Sequence, residues 1–252
     1  MHHKERELRT NPAAAGVLPG GQGVVLGGLP GTGKSLCARA IAGELDWPLL
    51  RLDIGRIFTG LLGGAEENLR EALAMAEAMG PVVLLVDDLD RALGHGQGGG
   101  VSGRVMNTLL TWMQERDRGV FLAATISDPT ALPVEVLRAG RFEHMFFFDL
   151  PGESERAELV AHCLRRHGRD PGALVPETLA AATTWLSHAD IAGRVEESLF
   201  VAAAAGRLEP SPQELLEALR RPEVSKERKS EIDRLRRLWE GVECASEWEP
   251  RL

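Results

Sequence analysis

Gly28-Leu29-Pro30-Gly31-Thr32-Gly33-Lys34-Ser35 carries the spacing of a phosphate-binding loop: a glycine, four residues, then Gly-Lys-Ser. An apolar run, Val24-Val25-Leu26, precedes it with the composition of a buried strand. Leu36-Cys37-Ala38-Arg39-Ala40-Ile41-Ala42-Gly43-Glu44-Leu45 follows, with apolar residues at helical spacing. A loop between a strand and a helix is the setting this motif requires. Its glycines let bare backbone approach a ligand, and successive N–H groups at the start of the helix make an anion nest. Lys34 is placed to reach β- and γ-phosphates, and the Ser35 hydroxyl to ligate Mg²⁺. The pattern implies a nucleotide-binding chain.

Working outward, Pro48 to Asp53 reads as a second strand, and Ala65 to Met79 as a helix with Leu69, Leu73 and Ala76 on one face. Pro81-Val82-Val83-Leu84-Leu85-Val86-Asp87-Asp88 contains five consecutive apolar residues, the mark of a strand covered on both faces. A helix from about Ser102 to Glu115 leads into Val120 to Thr125, and Phe146 to Asp149 is a fifth strand candidate. Strands alternating with helices imply a parallel sheet. After Pro151 the strand signal stops. Helices are expected over Glu153–His167, Glu177–Ala182, His188–Ala205, Gln213–Leu219 and Lys226–Glu240, with Ser187 and Asp190 as a capping pair. The expected division is an α/β nucleotide domain over 1–150, with 1–17 as an N-terminal extension, and a helical lid with a C-terminal helix over 151–252.

Asp87 closes the buried strand, and open parallel sheets bind ligands at the carboxyl ends of their strands. A carboxylate there can share with Ser35 the holding of Mg²⁺. Asp88 beside it can orient and deprotonate an attacking water. Asp90 reads either as a group supporting that site from behind or as a solvated turn residue, and the latter is expected.

These residues together resemble the AAA+ ATPases. Asp87-Asp88-Leu89-Asp90 resembles the Walker B segment, Ala123 to Glu143 the second region of homology, and Thr184-Trp185-Leu186-Ser187-His188-Ala189-Asp190 the lid motif usually written GFSGADL. Pro48–Arg56, Gly100–Val105, Thr111–Glu115 and Phe146–Pro151 further resemble an uncharacterised single-module branch named after a hypothetical chloroplast reading frame. The resemblance implies a P-loop AAA+ module: a five-stranded parallel sheet in the order 5-1-4-3-2, flanked by helices, then a small all-α lid. It implies a homo-oligomer, usually a hexameric ring, that binds ATP and Mg²⁺ at subunit interfaces and spends hydrolysis on remodelling a protein partner. Pro30, Gly31, Thr32, Gly33, Lys34, Ser35, Leu36 and His188 are then the nucleotide contacts, and Ser35 and Asp87 the metal ligands. Asp88, Ser127, Arg138 and Arg141 are the catalytic set. Ser127 stands at the γ-phosphate sensor, and the two arginines act on a neighbouring subunit's nucleotide.

The chain departs from that pattern in three places. Asp88 replaces a glutamate one methylene longer, Ser127 an asparagine, and Leu61-Leu62-Gly63 an aromatic pore loop. Leu61 and Leu62 either grip a threaded peptide by apolar contact or pack beneath their loop. The first two changes favour a rival reading, a nucleotide-gated scaffold that hydrolyses little or no ATP. His188 either senses nucleotide or is a surface histidine at a helix start, and Trp112, Trp185 and Trp239 are expected in cores.

A net charge of −8 argues against broad nucleic-acid binding, which needs clustered Lys and Arg. Lys226 to Arg237 nonetheless holds six basic residues against three acidic. It is a solvated face or, for a DNA-associated loader, a contact through Arg234, Arg236 and Arg237. Three scattered cysteines suit neither a disulfide framework nor a zinc site. With no long apolar run and no secretory signal at the start, a cytoplasmic protein with no membrane insertion is expected.

Overall fold

The computed structural model describes residues 23–57, 64–94, 101–115, 119–132, 142, 144–171, 176–220 and 224–245. In chain order the elements are β1 (Gly23–Gly28), α1 (Lys34–Leu45), β2 (Leu49–Leu52), α2 (Ile54–Ile57), α3 (Ala65–Met79), β3 (Val82–Val86), α4 (Leu89–Gly94), α5 (Val101–Glu115), β4 (Val120–Ile126) and β5 (His144–Phe148). Then come α6 (Glu153–Arg166), α7 (Pro176–Ala182), α8 (His188–Ala204), α9 (Pro212–Arg220), α10 (Lys226–Leu238) and the short β6 (Glu243–Cys244). The sheet order is β2-β3-β4-β1-β5-β6. Its first five strands stand in the anticipated sequence, and the β2–β3, β3–β4 and β1–β4 pairings are parallel. The edge strand β6 was not expected from sequence. Two residues are too few to show a periodic signal, and Ala245 N–H donates to Phe147 O to hold that segment.

The chain divides into two compact units, one formed by the chain up to Gly27 with Lys34–Phe146, the other by Gly28–Gly33 with Phe147 to the C-terminus. In the first, every residue of β3 and β4 is buried. Leu69, Leu73 and Ala76 of α3 and Val105, Leu109 and Met113 of α5 are buried at helical spacing. That is what covered parallel strands require, since both pleat faces must meet apolar side chains.

In the second unit, Val160, Cys163, Leu164, Leu179, Leu186, Ile191, Val195, Leu215 and Leu219 form the core of a helical bundle. Ser187 caps α8 as its spacing with Asp190 implied. The Asp190 N–H donates to Ser187 Oγ (3.2 Å), and the Ser187 N–H donates back to Asp190 Oδ2 (2.9 Å). Arg228 of α10 adds an ion pair to Asp190, tying α10 to the start of α8. A second tie joins α10 to the chain after β5. Arg236 Nε donates to both oxygens of buried Asp149 (3.0 Å each), and its guanidinium lies 5.4 Å over the Trp185 ring.

Of the tryptophans expected in cores, only Trp239 is buried, stacked on Phe147 at 5.8 Å. Trp112 and Trp185 are half-exposed because each uses its polar or π character outward: Trp112 Nε1 donates to Glu77 (2.8 Å), and Trp185 takes Arg236 and Lys229 on its ring. Cys37, Cys163 and Cys244 are free thiols. Among the described residues, no helix is long and apolar enough to cross a membrane.

Candidate functional site

β1 delivers the chain to Gly28, whose φ of +127° and surroundings both demand glycine: a Cβ there would lie 2.2 Å from Phe148 O. The Leu29 N–H donates to that same carbonyl (3.0 Å), which holds the start of the loop against Phe148. Thr32, buried, spends its hydroxyl on Leu29 O (2.7 Å) and stiffens the loop from within. Gly31, at φ +76°, is held from α8: the Ala189 N–H donates to its carbonyl (2.9 Å), and a Cβ would meet Ser187 Oγ at 2.7 Å. Gly33 also has positive φ, yet a Cβ built on it meets nothing within 4 Å, so this part of the loop is open. Pro30 and Leu36 are exposed.

The loop runs directly into α1, whose first two residues face the tip of β3. Ser35 Oγ donates to Asp87 Oδ1 at 2.9 Å across 52 positions of sequence. Lys34 is buried, and loss of solvation lowers its pKa to about 8 against the pull of Asp88, Asp90 and Asp87. Asp87 Oδ1 also accepts from Thr125 Oγ1 (2.6 Å), and its Oδ2 pairs with Arg51 Nη2 (2.9 Å). Burial pushes the Asp87 carboxyl upward. The hydrogen bonds from Thr125 and Ser35 and the charges of Arg51 and Lys34 outweigh it and leave the group below the usual aspartate value.

Asp88 follows in a left-handed conformation, φ +51°, which an aspartate tolerates better than a bulkier residue. Its N–H donates to Thr125 Oγ1 (2.9 Å), and its carboxylate faces Arg91 at 3.6 Å. Asp90 is not the solvated turn residue expected from sequence. It is buried, and its Oδ2 accepts the N–H groups of Ser127 (3.0 Å) and Asp128 (2.9 Å), which fixes the chain leaving β4. α4 turns Asp90 inward, an orientation that a three-residue stretch after a strand does not announce.

Ser127 is thus held by its backbone at the carboxyl end of β4. The β4 hydroxyl that reaches the Asp87 carboxylate at the end of β3 belongs to Thr125, two positions earlier on the same pleat face. Thr125 and Arg51 are the participants that sequence reasoning missed. For Thr125 the available signal was alternation, which puts it on the side of Asp87 once β3 and β4 are neighbours. His188 opens α8, is half-buried rather than at the surface, and is held by burial below the usual histidine value; its Nδ1 has no hydrogen-bond partner among the described residues. Arg138, Arg141, Leu61 and Leu62 lie outside the described residues.

Ser35 and Asp87 offer only oxygen donors, the set a hard divalent cation such as Mg²⁺ takes. Together with an open glycine cradle and a buried lysine, these residues fit a magnesium–triphosphate. The matching family model is the "ATPase family associated with various cellular activities (AAA)", over residues 24–150. The chain belongs to this AAA family of ATPases. Among its AAA relatives, the "Uncharacterized AAA domain-containing protein ycf46" of Trieres chinensis is 43% identical over 56% of this chain and 29% of the relative. The protein of the same name from Gracilaria tenuistipitata var. liui is 36% identical over 79% of the chain and 41% of the relative. The "ATP-dependent zinc metalloprotease FtsH" of Protochlamydia amoebophila is 34% identical over 90% of the chain and 26% of the relative. The chain therefore spans less than half the length of each of these relatives.

Proposed function

We propose that the chain binds MgATP through Gly28–Leu36 and hydrolyses it within a homo-oligomeric ring, coupling the nucleotide state to the remodelling of a protein partner. The observation that carries this reading is the Ser35–Asp87 hydrogen bond, which brings two magnesium-compatible oxygens from distant parts of the sequence together beside Lys34. Backbone N–H groups of the loop cradle the phosphates, and protonated Lys34 neutralises charge on them. Magnesium held by Ser35 and Asp87 supplies electrostatic stabilisation of the transferring phosphoryl group. Asp88 orients and deprotonates the attacking water, Ser127 reads the γ-phosphate, and His188 contacts the nucleotide. Arg138 and Arg141 act on the adjoining subunit's nucleotide.

The Asp88 geometry supports a second reading, the nucleotide-gated scaffold. Its shortened carboxylate is drawn toward Arg91, so the water-orienting role is weakened while the binding residues are intact. Two measurements separate the readings. Magnesium-dependent binding of a fluorescent ATP analogue is expected for the wild type and lost in Lys34→Ala; equal binding by that variant ends both. Steady-state phosphate release above background supports hydrolysis, with a gain in Asp88→Glu. Background release from a wild type that still binds nucleotide leaves the scaffold.

A further inference from the structure

Arg51 belongs to none of the roles above, and its surroundings give it one. β2 pairs with β3 in a register that sets Arg51 beside Leu85, so Arg51 and Asp87 occupy the same pleat face at the strands' carboxyl ends. Its guanidinium meets Asp87 Oδ2 at 2.9 Å, opposite the oxygen that accepts from Ser35 and Thr125. The Asp87 side chain is only 16% exposed and that of Arg51 is 60% exposed, so the arginine reaches in from solvent to a carboxylate that cannot reach out.

We propose that Arg51 is a positioning residue that sets the magnesium requirement of nucleotide binding by sharing Asp87 with the metal. This rests on the reading of Asp87 as a magnesium holder. A cation brought to Asp87 must compete with, or sit against, a positive charge already on the same carboxylate. The pairing also spreads the negative charge that Asp87, Asp88 and Asp90 concentrate around Lys34. Arg51 therefore weakens the grip on magnesium, which favours release of the metal with spent nucleotide. Its exposure lets it swing away, so the effect is graded.

The test is a charge series read by binding rather than turnover. Wild type, Arg51→Lys, Arg51→Met and Arg51→Glu are titrated with magnesium at a fixed concentration of a fluorescent ATP analogue, with Asp87→Asn as control. The half-saturating magnesium concentration is expected to fall by roughly threefold in Arg51→Met, the size an exposed ion pair delivers. It should fall further in Arg51→Glu and stay near the wild-type value in Arg51→Lys. A structural role would track side-chain size and not charge. The proposal is overturned if all four proteins share one half-saturating value. It is also overturned if Arg51→Met weakens nucleotide binding equally at every magnesium concentration, because Arg51 would then be a phosphate contact. A wild type without magnesium dependence, matched by Asp87→Asn, removes the underlying reading of Asp87 instead, and this inference with it.

Discussion

The Thr125 hydroxyl does two things at once: it donates to Asp87 Oδ1 and accepts the N–H of Asp88. It is 1% exposed, so neither bond has water as a substitute. The second bond also ties down the backbone of Asp88 in its left-handed turn, and with it the carboxylate proposed above to orient water. Replacing Thr125 by valine keeps the shape and strands a buried donor, an effect worth about 1–3 kcal/mol. Urea unfolding of Thr125→Val is expected to show a loss of that size, and phosphate release is expected to fall with it. Thr125→Ser retains the hydroxyl and should recover most of both. A valine variant as stable and active as wild type would mean that these two bonds contribute nothing.

The start of α8 shows how a helix end is built to hold another element in place. Ser187 and Asp190 satisfy each other's N–H groups, Arg228 closes the pair, and Ala189, between the two, donates its N–H to the Gly31 carbonyl. Just before it, Trp185 takes φ +67°, a conformation that costs a large side chain of order 1–3 kcal/mol. Its contacts with Lys229 and Arg236 offset that strain. At Asp190, burial pulls the carboxyl upward, but the Ser187 and Arg228 bonds prevail and hold it below its usual value. A carboxylate with a depressed folded-state value stabilises the fold above the unfolded value, and that gain disappears as pH falls through the folded one. Thermal melts of wild type between about pH 5 and pH 3 should therefore lose stability faster than those of Asp190→Asn. At neutral pH the variant should already sit about 1 kcal/mol lower, the usual worth of a cap. Identical pH slopes would remove Asp190 from the account.

Assembly belongs to the whole chain. Phe200, Val201 and Leu208, which are 75%, 52% and 76% exposed, lie close together in sequence and present apolar surface of the kind that interfaces cover. The homo-oligomeric ring proposed above would cover such surface, and in that proposal each nucleotide site needs a neighbour's arginine. Light scattering should then find a larger mass with ATP than with ADP. Arg141→Ala should keep nucleotide affinity within error while turnover drops by ~10³ or more. A monomer in both nucleotide states, with turnover indifferent to Arg141, would refute the ring. For the basic stretch of α10, the structure directs Arg236 to buried Asp149, so one of the three arginines named for a DNA contact already serves the fold, whereas Arg234 pairs with Glu231 on the exposed face of its own helix.

Local signals sufficed for the phosphate loop, the order of strands and helices and the Ser187–Asp190 cap, and they are what pointed to Ser35 and Asp87 as the metal holders proposed above. Each is encoded by short spacing: glycines where the backbone must turn, apolar runs where both faces are covered, a hydroxyl three residues before a carboxylate. The environment of Asp87 was decided only by the folded chain. Arg51 and Thr125 come from two different strands and meet at that carboxylate because parallel pairing aligns the carboxyl ends of β2, β3 and β4. Nothing in the spacing of those residues records that meeting. The same holds for buried Asp90 and for Arg236 on Asp149, whose pairings depend on which strand or helix ends up next to which. A one-dimensional pattern carries the turn chemistry and the periodicity, and only the folded sheet and bundle bring distant charges close enough to share a proton, a metal or a hydrogen bond.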